Sequence, residues 1–118
     1  MRLSDKDLVR LEHIRDAAHE AAEHAGGRIR ADLDADRQLQ HSLVRCIEII
    51  GEASNNLSDE VRAANPQIAW RQIIATRNRM VHAYFSINLD IVWKTVKERL
   101  PELASDVQAI IVANGADD

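Results

Sequence analysis

The stretch "LQHSLVRCIEII", residues Leu39 to Ile50, decides the fold, because its apolar residues follow a helical period. One stripe of the predicted helix comprises Leu39, Leu43, Cys46, Ile47 and Ile50. A half-buried strand would instead alternate apolar and polar residues, and the chain contains no such alternation. A helix with one apolar stripe buries it against other helices, so the sequence predicts an all-α fold.

A second helix is predicted before this stretch. Ser4 followed by Asp7 is typical of a helix start of the capping-box type, and the glycine pair at 26 and 27 ends the helix. We expect the acidic segment "DLDAD", residues 32–36, to be a polar link into the central helix. We expect "GEASNNLS", residues 51–58, to loosen the end of that central helix.

The second half of the chain predicts three more helices. Ser58 can cap a short helix through "DEVRAAN", and Pro66 restarts the chain. A longer helix is then expected from about Trp70 to about His82. Asn88 opens the last helix, which Pro101 is expected to kink. The prediction is one domain, residues 1–118, built as an antiparallel bundle of four main helices plus one short helix.

Composition narrows the class of protein. Of the 118 residues, 46% are apolar and 29% are charged, as in a soluble globular domain. No run approaches the roughly 18 apolar residues of a membrane span, and the start of the chain has no signal-peptide pattern, so we expect a cytoplasmic protein without a membrane partner. The single cysteine, Cys46, lies on the apolar stripe and is expected to be buried.

Arginine is concentrated in an otherwise acidic chain. The net charge is −4, which argues against a surface covered with phosphate-binding lysines. The central third nevertheless carries five arginines, at positions 45, 62, 71, 77 and 79. A guanidinium offers a rigid fork of donors to phosphate, although a solvated helix face would use the same residues. We predict that Arg45, Arg71 and Arg79 bind the phosphates of an RNA.

The segment "RNRMVHAYF", Arg77 to Phe85, is the candidate site. A histidine that titrates near neutrality beside permanent positive charge suits proton transfer next to a developing anion. Asn78 and His82 are four residues apart, so the amide could orient the imidazole. Arg77 and His82 are five apart, about 140° around a regular helix, so they do not converge simply. Either the helix unwinds near His82, or two copies of the segment face each other in a homodimer.

A metal site is the weaker interpretation of the other histidines. The segment "HEAAEH" places His19 and His24 five residues apart, whereas zinc-protease helices need histidines four apart on one face. We therefore predict no metal and no cofactor. Cleavage of RNA without metal requires a base for the 2′-hydroxyl, an acid for the leaving oxygen and cations around the phosphorane, which two facing copies of Arg77 to Tyr84 could supply.

The string "RNRMVHAY" resembles the Arg-polar-x-x-x-His-x-Tyr signature of HepT-like ribonuclease toxins in the HEPN superfamily. The segments "DADRQLQHSLVRCIEIIGEASNNLS", "NPQIAWRQI" and "LDIVWKTVKERLPELA" resemble the flanks of that signature, in the same order. The resemblance implies a HEPN-like helical homodimer and a metal-independent endoribonuclease toxin of a type II or type VII-like pair. It also implies an antitoxin that resembles a minimal nucleotidyltransferase.

The resemblance assigns roles to individual residues. Arg77 and His82 would be catalytic, Asn78 would be the polar partner after the arginine, and Tyr84 would be the site to which the antitoxin attaches AMP. Two alternatives remain open. The chain could be a non-catalytic helical module that binds a nucleotide or a nucleotidyltransferase through the same surface, or it could be a structural dimer.

Overall fold

In the computed structural model of the chain, residues 2–82 and 87–114 are described, with the backbone alone at positions 81 and 82. The helices are α1 Asp5–Ala25, α2 Arg30–Ala35, α3 Arg37–Asn56, α4 Asp59–Ala64, α5 Trp70–His82, α6 Leu89–Lys94 and α7 Leu100–Ala113. A π-helical turn, Thr95–Arg99, joins α6 to α7 without a break. The described part of the chain contains no strand, which confirms the all-α prediction.

Three helices form the core, and α5 packs beside it. The pairs α1–α3, α1–α7 and α3–α5 make the main contacts, and α3 is the chief partner of α5. The apolar stripe that predicted α3 is buried as expected, with Leu39, Leu43, Cys46, Ile47 and Ile50 each at most 4% exposed. On α5 only Trp70 and Met80 are fully buried among the described side chains. The helix that carries the candidate site is therefore held on one side and open on the other.

Predicted helix starts are confirmed, with one change of partner. The Ser4 and Ser58 hydroxyls accept from the backbone N–H of Asp7 and Val61, and the Asn88 side chain accepts from Asp90 and Ile91. The carboxylate of Asp7 does not complete a capping box on its own helix. It accepts instead from the Ser58 N–H at 2.9 Å and the Ser58 hydroxyl at 2.8 Å, which links the start of α1 to the start of α4.

Two predictions about the ends of α3 are wrong. The acidic link at 32–36 contains part of α2, which buries Leu33 completely and is held by the ion pair of Arg30 with Asp90. If α6, the π turn and α7 are counted as one continuous helix, the described residues form four main helices and two short ones, α2 and α4, where one short helix was predicted. The segment from Gly51 does not loosen α3, because the helix continues regularly to Asn56.

Pro101 is the second residue of α7, and α7 begins directly after the π-helical turn. Proline has no N–H to donate to the carbonyl four residues earlier, and a π turn shifts that pattern by one residue. The irregularity that the structure shows near Pro101, where a kink was expected, is therefore the π-helical turn Thr95–Arg99, which is wider than an α-helical turn. No helix in the described part of the chain is long and apolar enough to cross a membrane.

Candidate active site on helix α5

Gly51 determines how closely α5 approaches α3. A β-carbon built on Gly51 would lie 2.0 Å from the Arg77 β-carbon and 2.5 Å from its γ-carbon. Carbon atoms in contact need roughly 3.5 Å, so only glycine permits this approach. The base of the Arg77 side chain rests on the α3 backbone at the position that sequence analysis expected to disrupt the helix.

The Arg77 guanidinium is oriented by its neighbour and partly free of partners. Its Nη1 donates to the Asn78 Oδ1 at 2.9 Å. Its Nε is buried and has no hydrogen-bond partner among the described residues. Because a buried donor without an acceptor is unfavourable, an arginine in this state is suited to receive an anion or another acceptor from outside the described chain.

Asn78 therefore has a different partner from the one expected. We predicted that its amide would orient the His82 ring, whereas its Oδ1 accepts from Arg77. The side chain of His82 lies outside the described residues, so the Asn78–His82 contact stays a prediction. Asn78 is exposed, and its Nδ2 is not used in the Arg77 contact.

The backbone of α5 is helical through position 82. Positions 77 and 82 thus remain about 140° apart around the helix axis, and unwinding before His82 does not occur. Tyr84 lies outside the described residues. The described chain therefore does not bring the positions of Arg77 and His82 to one side of α5.

The three arginines selected as RNA-binding residues lie on different surfaces. Arg79 is exposed on α5 and lines a groove together with Lys94 and Arg99, two residues that sequence analysis did not select. Arg71 and Arg45 are exposed but do not line that groove. Lys94 and Arg99 follow Arg79 by 15 and 20 residues, and local spacing gives no signal for such a contact.

The other chemically reactive side chains of the described chain give weaker support for a functional site than Arg77 does. Within residues 2–82 and 87–114, no three histidine, cysteine or acidic side chains are grouped so that they could hold a metal ion. His24 lies 3.5 Å from Glu20 in an exposed i,i+4 pair. Burial raises the pKa of the Cys46 thiol to about 11, so this cysteine is a packing residue rather than a nucleophile.

Comparison with known proteins places the chain among ribonucleases. The family described as Ribonuclease HepT-like matches residues 14–110. A "Probable ribonuclease HepT" of Thermococcus cleftensis is 37% identical over 87% of this chain and 92% of its own length. A "Putative RNase" of Caldanaerobacter subterraneus is 36% identical over 86% and 90%, and one of Methanocaldococcus jannaschii is 32% identical over 64% and 69%. No solved structure matches the chain significantly.

Proposed function

The chain belongs to the HepT-like ribonuclease family, and from that premise we propose that it is an endoribonuclease that cleaves RNA without a metal ion. The observation that carries this proposal is Arg77, whose Nε is buried without a partner in the described chain. Gly51 and Asn78 hold this side chain in place. A positioned guanidinium with unused donors is the group that an anionic transition state requires.

The proposed reaction uses the 2′-hydroxyl of the RNA as the nucleophile. His82 removes the proton from this hydroxyl or protonates the leaving 5′-oxygen, while the new 2′-oxygen–phosphorus bond forms and the old phosphorus–5′-oxygen bond breaks. Arg77 stabilises the additional negative charge on the phosphorane through its fork of N–H donors. Asn78 orients the guanidinium, a role supported by its 2.9 Å hydrogen bond.

We propose that the site is shared between two copies of the chain. A single regular α5 presents positions 77 and 82 on different sides, whereas two facing helices could bring Arg77 of one protomer to His82 of the other. We further propose that the protein is the toxin of a toxin–antitoxin pair whose antitoxin is a nucleotidyltransferase that modifies Tyr84.

One experiment tests the chemistry and the shared site together. Cleavage of single-stranded RNA should persist in EDTA and fall by about 10²–10⁴-fold in His82→Ala. Arg77→Ala should be similarly impaired. Mixing the two variants after partial unfolding and refolding should restore about a quarter of wild-type activity, because half of the dimers would be mixed and each would hold one intact site.

The control is His13→Ala, which removes an exposed histidine on α1 and should leave cleavage unchanged. Full activity in His82→Ala would refute the catalytic assignment. No recovery on mixing, with each variant correctly folded by circular dichroism, would refute the shared site. Tight nucleotide binding without any turnover of RNA would instead favour the non-catalytic binding module.

A further inference from the structure

A groove between α5 and the segment formed by α6 and the π turn lies beside the candidate site. It encloses about 330 Å³ and lies between one face of α5, from Gln72 to Arg79, and the segment that runs from α6 into the π turn. Its walls are formed by Gln72, Ala75, Thr76, Arg79, Ile91, Lys94, Thr95 and Arg99. Because α5 packs chiefly on α3, this second side of α5 stays open to the groove.

The charge of this groove has one sign. Arg79, Lys94 and Arg99 are exposed cations in its walls, and none of the described residues that line it carries a carboxylate. Elsewhere in the described chain, the cations that form ion pairs are Arg15, His24, Arg28, Arg30 and Arg62. None of the three groove cations forms an ion pair with a described residue, so their charge is available to an external anion.

One of these cations is held across the groove. The Arg99 Nη1 donates to the Gln72 Oε1 on α5 at 2.8 Å, which leaves its other N–H groups unused by this contact. The arrangement fixes the guanidinium between the two helices. A partly restrained guanidinium loses less side-chain entropy on binding an anion than a free one does.

Acidic side chains enter the cleft away from Arg79. Next to the groove the cleft continues as a larger space of about 420 Å³, whose walls share Lys94 and Arg99 with the groove but also include Glu98, Glu102 and Asp106. A polyanion would therefore be held more favourably at the Arg79 end, where the charged side chains of the described walls are all cations. The basic end is also the end nearer to the motif, since Arg79 precedes position 82 by three residues on the same helix.

We propose that this groove, between Arg79 on one wall and Lys94 and Arg99 on the other, binds the phosphate backbone of single-stranded RNA beside the cleavage site. The inference rests on the proposed function, and adds Lys94 and Arg99 to the residues that hold the substrate. We expect a groove walled by two helical segments to take one strand in preference to a duplex. Within the described part of the chain no aromatic residue lines it, so the contact made by these residues selects a polyanion and not a base sequence.

The test measures binding separately from cleavage. A fluorescent single-stranded 2′-O-methyl RNA cannot be cleaved through its 2′-oxygen, and anisotropy gives its Kd as a function of KCl concentration. Lys94→Gln and Arg99→Gln should each raise Kd roughly two- to fivefold, as expected for loss of an exposed ion pair. The slope of log Kd against log salt should fall by about 0.7 for each cation removed.

The matched control is Lys6→Gln, which removes the same charge from a groove on α1 that also contains Asp5 and Glu52. Lys94→Gln and Arg99→Gln variants that bind with the Kd and the salt slope of Lys6→Gln would overturn the proposal. Equal sensitivity of duplex RNA binding to Lys94→Gln would overturn the assignment to a single strand. The all-ribose form of the same oligonucleotide tests cleavage, so failure of the enzyme and failure of the groove give different results.

Discussion

At the scale of single residues, Gly51 is the position on which the candidate site depends most directly. Glycine within a helix normally costs roughly 0.5–1 kcal/mol relative to alanine. Here the absence of a side chain lets the Arg77 β-carbon rest against the α3 backbone. The close approach of α5 to α3 at this point thus fixes the position from which the Arg77 side chain extends.

Gly51→Ala should separate α5 from α3 at Arg77. The new β-carbon would lie 2.0 Å from that of Arg77, and neither belongs to a flexible end of a side chain, so one helix must shift. Overpacking of this kind costs about 1–3 kcal/mol, from which the better helix propensity of alanine recovers a part. Because a misplacement of about 1 Å can reduce rates by about 10²-fold, kcat should fall strongly while KM changes little. Urea unfolding and steady-state kinetics measure both effects.

Gly26→Ala is the control for this substitution. Its added β-carbon would approach only the carbonyl oxygens of Ala22 and Glu23, at 3.3 and 3.4 Å. It should change the free energy of unfolding by less than about 1 kcal/mol and leave kcat unchanged. A Gly51→Ala enzyme with wild-type kcat would show that catalysis does not depend on the close contact between Arg77 and Gly51 of α3.

Local spacing predicts some of these residues and cannot predict others. The nine residues from Arg77 already indicate proton transfer beside an anion, because the residue types themselves carry that chemistry. The contact of Gly51 with Arg77 joins positions 26 residues apart, and a single sequence shows Gly51 only as a possible helix breaker. The Arg77–Asn78 hydrogen bond was missed because neighbours in sequence were not expected to meet along a helix surface.

At the scale of elements, the long helices follow from their apolar stripes, and the short ones do not. The helix predicted from about Trp70 to about His82 has those same bounds in the structure. Helix α2 has six residues and one buried apolar side chain, too few to show a period. It is joined to the rest of the bundle by the tertiary ion pair of Arg30 with Asp90 at 2.8 Å, which a local pattern cannot reveal.

The link between the starts of α1 and α4 should depend on pH. Burial raises the pKa of the Asp7 carboxyl, but the hydrogen bonds from Ser58 and Ser4 outweigh it, so the pKa lies below its usual value. A lowered folded-state pKa contributes stability that is present above the unfolded-state pKa of about 3.9 and is lost as pH falls through the lower folded-state pKa. Asp7→Asn should therefore lower the free energy of unfolding at pH 7 by about 1–3 kcal/mol, and by less below pH about 3.9.

Asp5→Asn is the matched control, since Asp5 lies in the same first turn of α1 but is exposed. Its effect should stay near the few tenths of a kcal/mol typical of a charge at a helix start. Urea titrations of both variants from pH 3 to pH 7 measure the difference. A loss in Asp7→Asn that is constant over this range would mean that the carboxylate charge does not stabilise the link.

At the scale of the whole molecule, the proposed function requires a means of holding the enzyme inactive. Tyr84 follows position 82 by two residues in the sequence, and under the proposed function AMP attached to it would add an anion that competes with the RNA phosphate. Tyr84→Phe should leave RNA cleavage largely intact, because only the hydroxyl is lost. The variant should nevertheless escape inhibition when a cognate nucleotidyltransferase and ATP are supplied.

Intact-mass spectrometry after that incubation decides between two modes of control. The wild-type chain should gain one or more AMP units, and Tyr84→Phe should gain none. Inhibited wild-type protein of unchanged mass would indicate that the partner blocks the site by occupying it. His13→Ala serves again as the control, because it should be modified like the wild type.

The burial of Cys46 has a consequence for how two copies of the chain can be joined. This residue is the only cysteine in the sequence, it is 2% exposed, and its raised pKa leaves very little thiolate at neutral pH. An intersubunit disulfide is thus not available, and a pair of protomers can be held only by reversible contacts. The proposed shared site would then lose specific activity on dilution, so the concentration of the protein in a cell would itself determine whether RNA cleavage begins.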